Sequence, residues 1–370
     1  MLRWKLVALL AVLWLLPVPR TVHAQDDAKV AKLITQLLED KDVKKRRLAL
    51  LDLEIEGKRA KGVLQALIMS LEKDPEPIVR REVALVLARW GEDSKNAIPA
   101  LAYALKSDKD DEVREVAARA LLQLAPFSKT ALDQLVGALQ DKHAPTRAAA
   151  AEALKALAVH SKTAVPEMID YLKKPKDKKA DATARMHIAL ALGRVGPDGA
   201  KGTAVLIVVL ADIGEDESVR EAAAESLGRI GLDGRGSAKP LADVLQETKN
   251  TQSLRVAAVK SLAKVEGETK QIWPALKVGL GDGDSEIRIL TVRATGPYAK
   301  EEPEALKMLA KIAREDGNVE IRLAAIQELG LLGAAGKAAE TDLRYIIDHD
   351  EREAVRQEAE TALKKIAGTI

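Results

Sequence analysis

Apolar residues in this chain return at helical spacing, and the helical stretches themselves return. In residues 216–231, Val219, Ala223, Leu227 and Ile230 stand 4, 4 and 3 apart, which places them on one face of an amphipathic helix. Asp216 in front is a natural N-cap, and Gly231 behind is a helix stop. An arginine follows the first apolar residue. It recurs as Arg80, Arg114, Arg147, Arg185, Arg220, Arg255, Arg288, Arg322 and Arg356, at intervals of 34, 33, 38, 35, 35, 33, 34 and 34 residues. Lys45 takes the same place 35 residues before Arg80. Asp110, Asp181 and Asp284 precede their arginines by four, as Asp216 does, while His143 and Arg352 occupy that place in two other copies.

A first helix precedes each of these second helices. The pattern predicts helices over 94–107, 128–140, 162–173 and 236–247, with Pro99, Pro166, Pro240 and Pro274 near helix starts, where a missing N–H costs little. An opening helix over 27–39 carries the stripe Val30, Leu33, Ile34, Leu37 and Leu38. The unit is therefore helix, turn, helix, turn, and about ten copies fill the chain. A period near 34 means a solenoid, in which each unit buries its apolar face against its neighbours.

Tetratricopeptide and ankyrin arrays share this period. The first needs several aromatic positions, and this chain has one Phe; the second needs Thr-Pro-Leu-His, which is absent. Val219-Arg220 through Gly231 nearly spells Val-Arg-x-x-Ala-Ala-x-Ala-Leu-Gly-x-Ile-Gly. Ala184-Arg185 to Gly196, Val79-Arg80 to Gly91 and Ile321-Arg322 to Gly333 are looser copies. On these residues the chain resembles the short HEAT-repeat family, of the variety first noted in bilin lyases, over residues 27–368. The resemblance implies an all-α fold, an α-solenoid of about ten HEAT-like helix-turn-helix repeats in a right-handed superhelix. It also implies that the outward face of the second helices lines the concave surface. It says little about function, because these repeats serve many unrelated proteins.

At 100° per residue, Arg220 and Ala224 lie on the flank of the second helix, toward an adjacent repeat. The arginines Arg80 to Arg356 accordingly read as an inter-repeat ladder, each bonding a neighbouring Asp or helix end. The place four after each holds Ala49, Ala84, Ala118, Ala151, Ala189 and Ala224, then Val259, Val292 and Ile326, then Glu360. Small residues there permit close approach, larger ones imply wider spacing, and Glu360 suits a solvent-facing last unit. The place nine after each points into the groove and holds Arg89, Arg194, Arg229, Lys264 and Lys365, interrupted by Gln123 and Ala156; place five holds Arg119, Glu152, Glu225, Lys260 and Arg293. Either this is an ordinary solvated face, or Arg89, Arg194, Arg229 and Lys264 form a basic stripe for an acidic protein partner. The longest interval holds a basic insertion, residues 173–179, which reads as an extended soluble turn.

The first 24 residues stand apart. Arg3 and Lys5, the 11-residue apolar run Leu6–Leu16 and Val22-His23-Ala24 read as a secretory signal peptide cut before Gln25, leaving residues 25–370 as one solenoid. The run is shorter than the ~20 residues a membrane-spanning helix needs, so no membrane span is expected after cleavage. Removing three basic residues from the 58 Lys and Arg leaves 55 against 56 acidic residues. That balance argues against nucleic acid as a partner, which calls for a basic excess. With no cysteine and only 2% aromatics, stability rests on an Ala/Leu/Val/Ile core.

No catalytic constellation emerges. His143, His160, His187 and His349 are scattered, without metal-ligand spacing. The His-Glu pair of HEAT-fold iron hydroxylases is absent, as is a Gly-x-Ser-x-Gly elbow. Asp282-Gly283-Asp284-Ser285-Glu286 starts like a calcium loop but puts Ile287 where glycine is required, so it reads as a turn. Trp90 and Trp273 are the only tryptophans after residue 24, too few for a flipped-base pocket in a basic groove. The sequence therefore points to a monomeric, non-enzymatic scaffold, exported from a bacterial cell, that binds a protein or peptide on its concave face and uses no cofactor. A bilin-lyase-like enzyme or chaperone is the alternative that the resemblance raises.

Overall fold

The computed structural model describes residues 20–56, 62–174, 177–233, 236–265 and 267–369. Helices form wherever Ala, Leu and charged helix formers recur at 3.6-residue spacing, and no strand occurs among the described residues. The first helices are α1 (Arg20–Glu39), α3 (Val63–Lys73), α5 (Ile98–Ser107), α7 (Leu132–Ala138), α9 (Val165–Lys173), α11 (Thr203–Ala211), α13 (Ala238–Gln246), α15 (Thr269–Leu280), α17 (Pro303–Glu315) and α19 (Glu340–His349). The second helices are α2 (Val43–Glu56), α4 (Pro77–Trp90), α6 (Asp111–Gln123), α8 (Ala144–Ala156), α10 (Ala182–Leu192), α12 (Glu217–Ile230), α14 (Gln252–Leu262), α16 (Ser285–Thr295), α18 (Val319–Leu331) and α20 (Glu353–Ile366).

The helices gather into two compact units, Met1–Ala138 and Leu139–Ile370. Within the first, α2 packs on α1 and α4 on α6; within the second, α10 packs on both α8 and α12, and α18 on α20. Within each unit, second helices thus stack on second helices, and most are also covered by their own first helix. Val219, Ala223 and Leu227 are fully buried and Ile230 nearly so, as their spacing predicts. Each buried aliphatic side chain of this size contributes roughly 1.5–3 kcal/mol, and the repeat places several in every unit.

Several boundaries differ from the sequence expectation. The first helices at 94–107, 128–140 and 162–173 begin later, because the residues ahead of them form 3-10 turns at Gly91–Ala97, Ser128–Ala131 and Lys162–Ala164. Gly91 and Gly231 leave their second helices at φ +58° and +61°, a left-handed conformation that costs glycine nothing. Pro274 lies inside α15 rather than near its start, since that helix begins at Thr269. The opening helix starts at Arg20, ahead of the expected cleavage point; the rest of the proposed leader lies outside the described residues. Of the basic insertion, Lys174 pairs with Asp170 and Lys178 with Asp212.

The arginines bind turns. Arg80 donates from Nε and Nη2 to both carboxylate oxygens of Asp108 at 2.7 Å, and from Nη1 to the Asp74 carbonyl at 2.8 Å. Arg288 holds Asp316 and the Asp282 carbonyl, and Arg322 holds Asp350 and the Asp316 carbonyl. In each case the acid belongs to the next unit, six residues ahead of the next arginine. The same carboxylates accept backbone N–H groups two residues on, those of Asp110, Asn318 and Arg352. One aspartate therefore shapes its own turn and ties it to the preceding unit.

Three turns are two residues longer, and their acids Asp177, Asp212 and Glu247 stand eight ahead of Arg185, Arg220 and Arg255, accepting from Lys179, Gly214 and Lys249. The extra length moves the inter-unit partner toward the helix. Arg147 reaches Asp181 at 2.5 Å, Arg185 pairs with Glu215, and Arg220 donates to the Asn250 amide oxygen at 3.3 Å. Asp181 thus serves the arginine and gives no N-cap bond, whereas Asp110, Asp216 and Asp284 do cap their helices. Arg255 pairs with Asp282, so the calcium-like segment is an inter-repeat turn. Arg114 donates to the Asp108 carbonyl and Asp111, and Arg356 to the Asp350 carbonyl.

Lys45 is not the first member of this series. It is exposed, whereas Arg46 is buried and holds Asp74 through two 2.8 Å bonds and the Asp40 carbonyl through one of 3.0 Å. The first interval is accordingly 34 residues, and the place four after the arginine holds Leu50, not Ala49. Guanidinium geometry decides the register, because its planar fork grips both carboxylate oxygens of Asp74 and reaches a carbonyl as well, whereas a lysine ammonium is a point charge without that fork.

Candidate protein-binding face

Residues five and nine after most of these arginines are exposed or half-buried, and so is residue one in most units, although Val256 is buried. In the second unit these places form a groove of about 640 Å³ across α10, α12, α14 and the start of α16. Met186, Leu190, Ala222, Val256 and Ala257 supply its apolar part, and Glu221, Glu225, Lys260, Lys264 and Glu286 its charges. Met186 and Val256 stand one after their arginines and Leu190 five after, places where α12 carries glutamates. The floor is therefore a local substitution on a common frame.

The charges are ordered. Glu221 and Glu286 lie toward the N-terminal ends of their helices, and Arg194, Arg229 and Lys264 lie at or just past the C-terminal ends, each at the end its helix dipole favours. Arg229 pairs with Glu225 at 2.9 Å and Lys260 with Glu286 at 3.0 Å. Arg194, Glu221 and Lys264 have no ion pair among the described residues. The groove thus has an acidic edge, a basic edge and an apolar floor between them.

The four basic residues picked out by position are not equivalent. Arg89 belongs to the first unit and is held by Glu54, with Nε–Oε1 at 2.5 Å. Arg194, Arg229 and Lys264 belong to the second unit and are exposed; of these, Lys264 lines the groove. Position alone missed the floor of Met186, Leu190 and Val256. Places one and five are apolar in other units too, as at Leu51, Leu85, Ile289 and Leu323, so no pattern in the sequence singles this floor out.

The chemistry-bearing side chains are used structurally. Trp273 donates to Glu304 at 3.1 Å, and His349 stacks on Tyr345. His187 is buried in α10, where burial and then Lys155 hold its imidazole below the usual range. No group of three metal-ligating side chains occurs among the described residues. No helix among them is long and apolar enough to cross a membrane.

Comparison with solved structures shows the same fold elsewhere. An engineered protein matches with a TM-score of 0.61 and 21% identity, over 91% of this chain and 98% of its own. Kap121p matches with a TM-score of 0.53 and 14% identity over 92% of this chain, which spans 46% of Kap121p. None of the curated proteins matches in sequence. The HEAT-repeat model matches at residues 30–122, 98–185, 177–263 and 273–364. With most of its length covered by that model and second helices stacked on one another within each unit, the chain belongs to the HEAT-repeat family.

Proposed function

We propose that this chain is a non-enzymatic scaffold that holds a segment of another protein in the groove of α10, α12, α14 and α16. The observation that carries this reading is the floor of Met186, Leu190 and Val256 set between charged edges of opposite sign. Apolar side chains of a bound segment lose water against that floor, at about 25 cal/mol per Å² buried. The unpaired Glu221 and Lys264 fix its direction, because a reversed segment sets like charges together. The partner therefore needs apolar side chains flanked by basic groups on one side and acidic groups on the other. This refines the expectation of a purely acidic partner, since Glu225 already neutralises Arg229.

The scaffold works outside the cytoplasm. Support comes from the sequence: Arg3 and Lys5, the apolar Leu6–Leu16 and Val22-His23-Ala24. N-terminal sequencing of the chain from its own cell is expected to begin at Gln25, and a chain retaining Met1 in the cytoplasm contradicts export.

Selection from a displayed peptide library tests the groove. Peptides selected on the native chain are expected to lose at least tenfold in affinity on the Met186→Glu/Leu190→Glu variant, with circular dichroism unchanged because both side chains are half-exposed. Peptides that bind both proteins equally overturn the reading.

A further inference from the structure

A second set of exposed aliphatic side chains belongs to the first unit. On α2, Leu48 is 59% exposed, Leu51 53% and Ile55 81%, and on the neighbouring α4 Leu85 is 37% exposed. Leu48, Leu51 and Ile55 stand at i, i+3 and i+7, the spacing of a coiled-coil seam. Isolated surface leucines are ordinary, but a contiguous apolar stripe marks a contact surface.

The charges of α2 are ordered along its axis. Lys44, Lys45 and Arg47 occupy its first turns, and Asp52 and Glu54 its last ones. No acid stands in the first turn and no base in the last, so the order opposes the helix's own dipole. On the α4 side the charges are satisfied internally, Arg47 by Glu82 and Glu54 by Arg89. Lys44 and Asp52 are exposed, and Lys45 reaches only Asp40, at 3.9 Å.

We infer that two copies of this chain associate through α2, running antiparallel. An isologous two-fold contact presents one surface to itself. Antiparallel α2 helices mesh Leu48, Leu51 and Ile55 with the same three residues of the other copy. The lysine end of each then lies over the Asp52 end of the other, and acidic groups approach the N-terminal end where the dipole attracts them. A parallel arrangement sets lysines against lysines and is disfavoured. The occupant of this stripe is therefore a second copy, which sets aside the expectation of a monomer, and the inference is independent of the groove.

The chain contains no cysteine, so one introduced thiol reports the contact. In the form its own cell produces, the protein is expected to sediment at twice its monomer mass. Leu51→Glu should sediment at the monomer mass with unchanged helicity, because Leu51 is exposed. Lys44→Glu/Lys45→Glu should weaken association at least tenfold, and mixing it with Asp52→Lys should restore a dimer. Leu51→Cys should give a covalent dimer with a short bis-maleimide, whereas Ile213→Cys, at a residue 91% exposed in the second unit, should not. A monomer mass at every concentration, a dimer indifferent to Leu51→Glu, or no cross-link from Leu51→Cys overturns the inference.

Discussion

Arg46 and Asp74, 28 residues apart, bury their charges against each other through two parallel 2.8 Å hydrogen bonds, while Lys45 beside them faces solvent. Their side chains are 6% and 3% exposed, so neither charge has water to fall back on. Removing one partner strands the other, and breaking such a buried pair costs about 3–5 kcal/mol. Arg46→Ala is therefore expected to lower the stability of the first unit by that amount, and Lys45→Ala to change it by less than about 0.5 kcal/mol. Denaturant titration followed by hydrogen exchange in residues 27–138 reads both. Equal effects would mean that the register assigned to the first repeat is wrong.

Gly228 and Ser261 set how closely α12 approaches α14. A Cβ at Gly228 would stand 2.5 Å from the Ser261 hydroxyl and 2.8 Å from its Cα, so the backbone itself would have to shift. Gly193 meets Ser226 in the same way at 2.6 Å. Gly228→Ala is expected to destabilise the second unit by about 1–3 kcal/mol, the cost of overpacking, despite alanine's better helix propensity. Thermal melting of Gly228→Ala beside Gly137→Ala, where nothing lies within 4 Å, makes the comparison. A stabilised Gly228→Ala chain contradicts the close contact.

His187 should make stability fall in mild acid. Its Nδ1 is buried without a hydrogen-bond partner, and burial, then Lys155 of α8, opposes its protonation, while Glu152 of α8 favours it and Arg194 opposes it. The unfolded chain takes up the proton near 6.5 and the folded chain only at lower pH. The stabilisation is thus complete above about pH 6.5 and is lost as pH falls through and below that value. His187→Leu should flatten the slope between about pH 6.5 and 5, as measured by denaturant midpoints. An unchanged slope would remove His187 as its source.

The repeat was legible because stacking demands the same residue at the same place in every unit. Val219, Ala223 and Leu227 are buried as their spacing required, and the arginines from Arg80 onward keep one helical position. What the period concealed were the partners. Asp40, Asp74, Asp108, Asp141, Asp282, Asp316 and Asp350 stand six before their arginines, and Asp177, Asp212 and Glu247 stand eight before theirs, a shift that blurs the recurrence. The place four before carries helix caps, a stronger local signal than a turn acid. Lys45 and Arg46 fit the period almost equally, and only the two-pronged hydrogen bonding of Arg46 separates them. The groove floor was less legible. Met186, Leu190 and Val256 stand at places whose residue type varies from unit to unit, so the period alone does not pick them out.

The central claim is that a partner protein lies on the second helices of residues 182–286. Site-specific photo-cross-linking in the producing cell tests it most directly, with the photoreactive residue placed at Leu190 in the groove and, separately, at Val208 on the first helix α11, which is 67% exposed. A discrete adduct is expected from Leu190, absent from Val208 and abolished by Met186→Glu. An adduct from Val208 alone, or one from Leu190 that survives Met186→Glu, contradicts the groove assignment.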